Sequence, residues 1–140
     1  MLTINATDAR NEWSTVVDSV MREKPRFIKR TRDYMMLSDI RLIESLLSAY
    51  TFTAIILNET DGSVTLSLNE IDLVENAINL EEAVTKLAKG IVEYAEDFYN
   101  DFAYWATGSR KSHIPYVIKA LIINDVHRIG GLIQCQHGKS

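Results

Sequence analysis

The sequence predicts an α+β fold in two parts. Residues 1–50 form a small sheet with packed helices, and residues 51–140 a compact β-hairpin, a long helix and a short helical C-terminus. Three observations carry this. Val64-Thr65-Leu66-Ser67-Leu68 alternates strictly after the turn signal Asp61-Gly62, as the returning strand of a hairpin does. Apolar residues recur at 3.6-residue spacing over 9–21 and over 80–102, the mark of amphipathic helices. The charge also divides unevenly: residues 1–50 carry eight Lys/Arg against seven Asp/Glu, and residues 51–140 seven against twelve.

In the first part, Leu2 and Ile4 alternate with Thr3 and Asn5 as a short strand, and Thr7-Asp8 supplies an N-cap with an acidic first turn. The helix that follows carries Ala9, Trp13, Val16, Val17, Val20 and Met21 on one face, which assigns Trp13 to the core, and Lys24-Pro25 ends it. Arg10, Asn11 and Ser14 lie off that face. Residues 26–37 read as two strands joined by a polar turn near Arg30-Thr31-Arg32-Asp33. Ser38 is placed to cap a second helix whose apolar side is Ile40, Ile43, Leu46, Leu47 and Tyr50, with Leu42 left for a neighbouring element or a partner.

In the second part, residues 52–57 form the first hairpin strand and Ile71-Asp72-Leu73-Val74 a third strand. Asn79 caps the long helix, with Glu82 at its third position. That helix presents a wide apolar face from Leu80 to Phe102, which should cover the sheet, and Gly90 within it suggests close packing. Thr107-Gly108-Ser109 reads as a linker. Pro115 suits the first turn of a helix through Leu121, and Asn124-Asp125 caps another that ends near Gly130-Gly131 or runs through it. The run Val117 to Ile123 is too continuously apolar for periodicity to choose helix or strand. The last six residues are expected to fray.

Composition narrows the function. With 46% hydrophobic and 24% charged residues the chain can bury a core, and its 140 residues make one ordinary domain or two very small ones. The single cysteine, Cys135, excludes an internal disulfide. The N-terminus lacks a basic start followed by an apolar run, and no stretch approaches the roughly 18 apolar residues of a membrane span, so a soluble, cytoplasmic protein without a membrane partner is expected. A net charge of −4 argues against a surface that binds nucleic acid throughout, yet residues 22–32 hold Arg22, Lys24, Arg26, Lys29, Arg30 and Arg32 against Glu23 alone. Such a stripe can track phosphates. The plainer alternative is a solvated hairpin with charged outer faces.

No phosphate loop, dinucleotide-binding glycine fingerprint, zinc-ligand spacing or nucleophile elbow occurs, so no catalytic residue, metal or cofactor is assigned. Cys135 with His137, or with His113, makes at most a partial thiol–imidazole or metal set, and a half-buried thiol with two surface imidazoles explains it as well. Glu93, Glu96, Asp97 and Asp101 at helical spacing are either a cation or acid–base cluster or the solvated side of a helix. Phe98, Tyr99, Phe102, Tyr104 and Trp105 are either core at a helix end or a partner anchor. Phe98, Phe102 and Trp105 are the partner-binding candidates. Arg10, near a positive helix N-terminus, and Arg30, at a hairpin turn, can both face DNA.

With these residues in hand, residues 1–50 resemble the Phd/YefM family of antitoxins. The resemblance rests on Thr3-Ile4-Asn5-Ala6-Thr7-Asp8-Ala9-Arg10-Asn11, then Pro25-Arg26-Phe27-Ile28-Lys29-Arg30, then Met36-Leu37-Ser38. It implies a homodimer, or a higher even oligomer, that binds palindromic operator DNA and represses its own operon. The C-terminal part of such a protein neutralises a cognate toxin. By position the resemblance makes Arg10 and Arg30 the DNA-contacting pair, with Asn11 and Lys29 as neighbours; Arg32 extends the basic stripe. Thr31-Arg32-Asp33 stands where the family's hairpin turn carries a glycine. The middle segment is similar to HicB-type antitoxins in Phe52-Thr53-Ala54-Ile55-Ile56, Glu59-Thr60-Asp61-Gly62 and Asn79-Leu80-Glu81-Glu82-Ala83. That resemblance implies a small, incomplete RNase-H-like sheet and helix without nuclease activity.

The reading is therefore a type II antitoxin and not an enzyme: residues 1–50 dimerise and bind operator DNA, and residues 51–140 form a folded toxin-binding part. Two alternatives stay open. One is a ligand- or protein-binding adaptor on the same scaffold without DNA binding, and the other an enzyme using Cys135 or the acidic helix.

Overall fold

A computed structural model describes residues 1–138. They fall into two compact units, Met1–Leu46 and the chain from Leu47 on.

The first unit begins with β1 (Thr3–Asn5), whose last residue also caps the next helix: Asn5 Oδ1 accepts from Thr7 N at 2.8 Å. The cap thus lies two residues before the expected Thr7. The first helix is not continuous. It breaks at Glu12 (φ −117°, ψ 35°) into α1 (Ala6–Asn11) and α2 (Trp13–Arg22). The break spoils the single apolar stripe, and Trp13 at its start is 50% exposed, where the periodicity assigned it to the core. After Pro25 come β2 (Arg26–Arg30) and β3 (Asp33–Leu37). β2 pairs parallel with β1 and antiparallel with β3, giving the order β1-β2-β3. The helices cover one face, and Ala9, Val16, Val20 and Ile28 are the buried core, with Ile4, Ala6 and Leu37 packed against it.

The helix α3 (Ile40–Leu46) ends before Leu47 and Tyr50, which sequence spacing had included. Asp39, not Ser38, serves its first turn, accepting from Arg41 N at 2.9 Å. Tyr50 belongs to the second unit, where it meets Tyr116 edge-on with ring centroids 5.5 Å apart. Lys119 Nζ donates to the Tyr50 carbonyl at 2.6 Å and to that of Leu47 at 3.5 Å.

The second unit is a four-stranded sheet with helices on one face. β4 (Thr53–Asn58) and β5 (Val64–Leu68) form the hairpin the alternation predicted. Its turn is held by Asp61 Oδ1, which accepts from Ser63 N at 2.9 Å, and by Gly62 at φ +87°, a conformation that glycine adopts without strain. The third strand is β6 (Val74–Ala77), displaced by three residues from the expected one because Ile71 is buried in the core and tethers the preceding loop.

Asn79 caps α4 (Leu80–Asn100), accepting from Glu82 N at 2.9 Å. That helix stops at Asp101, and α5 (Phe102–Trp105) follows. The expected linker at Thr107-Gly108-Ser109 instead leads into a 3₁₀ helix (Gly108–His113). The apolar run resolves as helix, α6 (Ile114–Ile123), and α7 (Val126–Leu132) continues through Gly130-Gly131. Gly130 faces α4, and a Cβ there would stand 3.6 Å from Val84 and 3.7 Å from Ala88, ordinary contact distances that alanine could also occupy. At Gly90 the nearest atom would be Glu75 Oε1 at 3.6 Å, so that glycine fills no tighter space than alanine could.

The expected frayed end is in part ordered. β7 (Gln134–His137) joins the sheet beside β4 in parallel, giving the order β6-β5-β4-β7. Only Lys139 and Ser140 of that tail lie outside the described residues. One core holds the unit together: Phe52, Leu66 and Ile71 from the sheet side, Leu87, Ile91 and Phe98 from α4, Val117 from α6 and Ile129 from α7 are all nearly inaccessible.

Candidate nucleic-acid and partner interfaces

In the first unit the basic side chains are solvent-facing. Arg10 and Asn11 are exposed on α1, and Lys29, Arg30 and Arg32 on the hairpin. Alternation along β2 sorts them by face. Buried Ile28 points to the helices, so Arg30 shares the helix-bearing side, and Arg10 joins Ala9, Trp13, Ile28 and Met35 around a shallow recess on that side. Lys29 projects from the opposite face, its ammonium 5.4 Å from the centre of the Tyr34 ring. Arg10 and Arg30 thus lie on the helix-bearing side of the sheet and Lys29 on the other.

Arg30 Nη2 meets Asp33 Oδ2 at 3.1 Å, and both side chains are about 70% exposed: 70% and 68%. Water screens such a pair, so its contribution to folding is small. Between them, Thr31 takes φ +54°, the sign that type II′ turns require at their first central residue, where glycine normally stands. A β-branched residue there is strained. The two-residue turn therefore survives the loss of the glycine, at a local energetic cost, beside the arginine assigned to DNA.

The first unit buries only four apolar residues while Trp13, Met21, Phe27, Tyr34, Met35, Met36, Ile40 and Leu46 remain exposed. That is a large exposed apolar surface for about 46 residues.

In the second unit, Phe98 is 1% exposed and belongs to the core, so it supports a surface and cannot form one. Phe102 packs edge-on to Phe98 with ring centroids 5.4 Å apart, and Trp105 is half-buried. Tyr99 and Tyr104, 64% and 68% exposed, are the aromatic residues that face solvent here. Sequence reasoning missed the polar cluster beside them: Tyr94 Oη lies 2.6 Å from His113 Nδ1 and 3.0 Å from Arg110 Nη1. Its members are up to 19 positions apart, and no local pattern joins them. Burial lowers the His113 pKa, with Asp72 opposing and Arg110 reinforcing the shift.

The alternative chemistries gain no completed site. Burial pushes the Cys135 thiol up, away from the thiolate a nucleophile needs, and His113 is engaged by Tyr94. Glu93, Glu96, Asp97 and Asp101 are all exposed, and among the described residues no group of three His, Cys, Asp or Glu side chains could hold a metal. Among those residues, too, no helix is long and apolar enough to cross a membrane.

The same architecture occurs in a 1.80 Å crystal structure from Syntrophomonas wolfei subsp. wolfei, described as an antitoxin part of a candidate toxin/antitoxin system. The TM-score is 0.91 at 34% identity, with 99% of this chain and 100% of that chain covered. The fold is that of an antitoxin. The family profile described as "Antitoxin of toxin-antitoxin, RelE / RelB, TA system" matches residues 1–135, and the chain belongs to this PHD-like family. No curated protein sequence matches it. An antitoxin implies a cognate toxin as partner.

Proposed function

We propose that the two units divide an antitoxin's work: the first dimerises and binds operator DNA to repress its own operon, and the second neutralises the toxin. The observation that carries the DNA half is the exposure of Arg10 on α1 and of Arg30, in the basic stripe, on the helix-bearing side of the sheet. The surplus of exposed apolar side chains around Trp13, Phe27 and Met36 supports dimerisation. A twofold dimer presents each arginine pair twice, which matches a palindromic half-site arrangement. The strand, helix and hairpin order of the first unit supports a Phd/YefM-like reading, and the hairpin, strand and capped helix of the second a HicB-like one. The aromatic end of α4 and α5, with Phe102 and Trp105 supported by Phe98, is the toxin-binding surface of this reading.

Fluorescence anisotropy of the purified chain on DNA from its own upstream region, over a salt series, tests the DNA half. Specific binding that weakens steeply with salt, and by ~1–3 kcal/mol in Arg30→Ala, is the expected result. Equal affinity for scrambled DNA refutes it and favours an adaptor without DNA binding.

A further inference from the structure

Arg110 lies half-buried in the 3₁₀ helix that links α5 to α6. Its guanidinium carbon stands 4.9 Å from the centre of the Trp105 ring and 5.8 Å from that of Tyr94, so it contacts two aromatic residues. Nη1 donates to Tyr94 Oη at 3.0 Å. Because arginine can only donate, the tyrosine oxygen accepts, and its own proton is directed to His113 Nδ1 at 2.6 Å. A neutral His113 with its proton on Nε2 completes this chain, and burial lowers the imidazole pKa, which favours the neutral form. Three side chains therefore fix one guanidinium.

What the guanidinium is fixed for follows from what it lacks. Among the described residues no carboxylate lies within 4.0 Å of it, although Glu93, Glu96, Asp97 and Asp101 are exposed on and just after the same stretch of α4. One nitrogen is committed to Tyr94, and the remaining fork can take a planar two-oxygen acceptor. Tyr104, 68% exposed, stands edge-on to Trp105 with ring centroids 5.1 Å apart. Tyrosine, tryptophan and arginine in one pre-ordered cluster are the composition of an interface hot spot. Over residues 51–140 acids outnumber bases twelve to seven, which opposes the repeated charge of a nucleic-acid backbone, whereas a single carboxylate can be neutralised by Arg110 alone.

We propose that Arg110, stacked on Trp105 and tied through Tyr94 to His113, is the anchor of the toxin interface and receives an Asp or Glu side chain of the toxin. This rests on the reading of the second unit as toxin-binding and adds the chemistry of the contact.

The test measures affinity of the full-length chain for the toxin encoded beside it, by calorimetry, with circular dichroism and melting to confirm each variant folds. Arg110→Ala is expected to weaken the complex by about 30-fold or more, and Arg110→Lys, which keeps the charge but not the fork, to recover little of that. Tyr94→Phe keeps the ring under the guanidinium and removes its tie, so it weakens binding by a smaller factor. Arg110→Glu abolishes binding, and one Asp→Arg or Glu→Arg variant of the toxin restores it by at least about tenfold, a rescue that a purely structural arginine cannot give. Wild-type affinity in a folded Arg110→Glu overturns the anchor alone. Absence of any complex with the wild-type chain overturns the toxin-binding reading and the anchor with it. Loss of RNA or DNA binding in Arg110→Glu with the toxin complex intact overturns the carboxylate assignment.

Discussion

Asp33→Asn should tighten operator binding while leaving folding nearly unchanged. The carboxylate holds Arg30 Nη2 at 3.1 Å, and both side chains are largely in water. An exposed pair of this kind contributes ~0.2–1 kcal/mol, so the fold loses little and Arg30 is released from a competitor. If Arg30 meets a phosphate, Asp33 stands about 7 Å from that phosphate, a repulsion of ~0.6 kcal/mol in water that salt roughly halves at 0.15 M. Two sites per dimer bring the total to about 1–2 kcal/mol, a complex tighter by about five- to thirtyfold. Anisotropy on upstream DNA at 0.05–0.2 M salt, roughly the range where phosphate contacts are most salt-sensitive, reads this directly. Asp33→Asn and Arg30→Ala must then move affinity in opposite directions. Unchanged or weaker binding in Asp33→Asn, with Arg30→Ala also neutral, refutes the placement of this turn on the phosphate backbone.

Other consequences are independent of DNA. Thr31→Gly should raise the stability of the first unit by about 1 kcal/mol, because it relieves a left-handed β-branched residue; an unchanged denaturation midpoint contradicts the strain. Leu87→Ala, at a position with no exposed surface in the second core, should destabilise by about 2–5 kcal/mol, a large part of an ordinary domain's stability; a loss below 1 kcal/mol in urea titration contradicts the single shared core. His113 has its pKa lowered on folding, so its contribution to stability is fully present above the unfolded value near 6.5 and is lost as pH falls through the depressed folded value. Unfolding free energies measured from pH 8 to 5 should therefore fall more steeply for the wild-type chain than for His113→Gln, and parallel curves count against a buried neutral imidazole.

The parts of the fold legible in the sequence are those governed by local chemistry. Asp61-Gly62 and the alternation after it specify their hairpin, and Asn79 its helix cap, because turn and cap geometry depend on neighbouring residues alone. The failures arise where a distant contact decides. Gln134-Cys135-Gln136-His137 has no strand pattern, since an edge strand needs only its backbone to pair: Gln134 N reaches the Phe52 carbonyl at 2.9 Å and Gly138 N that of Ile56 at 3.1 Å. Trp13 satisfies helical periodicity, but the break at Glu12 turns it outward, and a residue assigned to the core becomes surface. Of the candidate residues, Arg10 and Arg30 stand out in the sequence by type and position, and both are exposed in the fold. The separation of Lys29 from them follows only once Ile28 is known to face the helices. The Arg110 cluster joins α4 to the 3₁₀ helix across 16 to 19 residues and exists only in the folded chain.

The separability of the two units is the centre of this account, and growth of cells producing the neighbouring toxin tests it most directly. The chain is supplied from a second promoter while a reporter follows its own upstream region. The account predicts that the wild-type chain restores growth and silences the reporter, and that Arg30→Ala restores growth but leaves the reporter active. Failure of the wild-type chain to restore growth, or loss of both effects together in a folded Arg30→Ala, contradicts it.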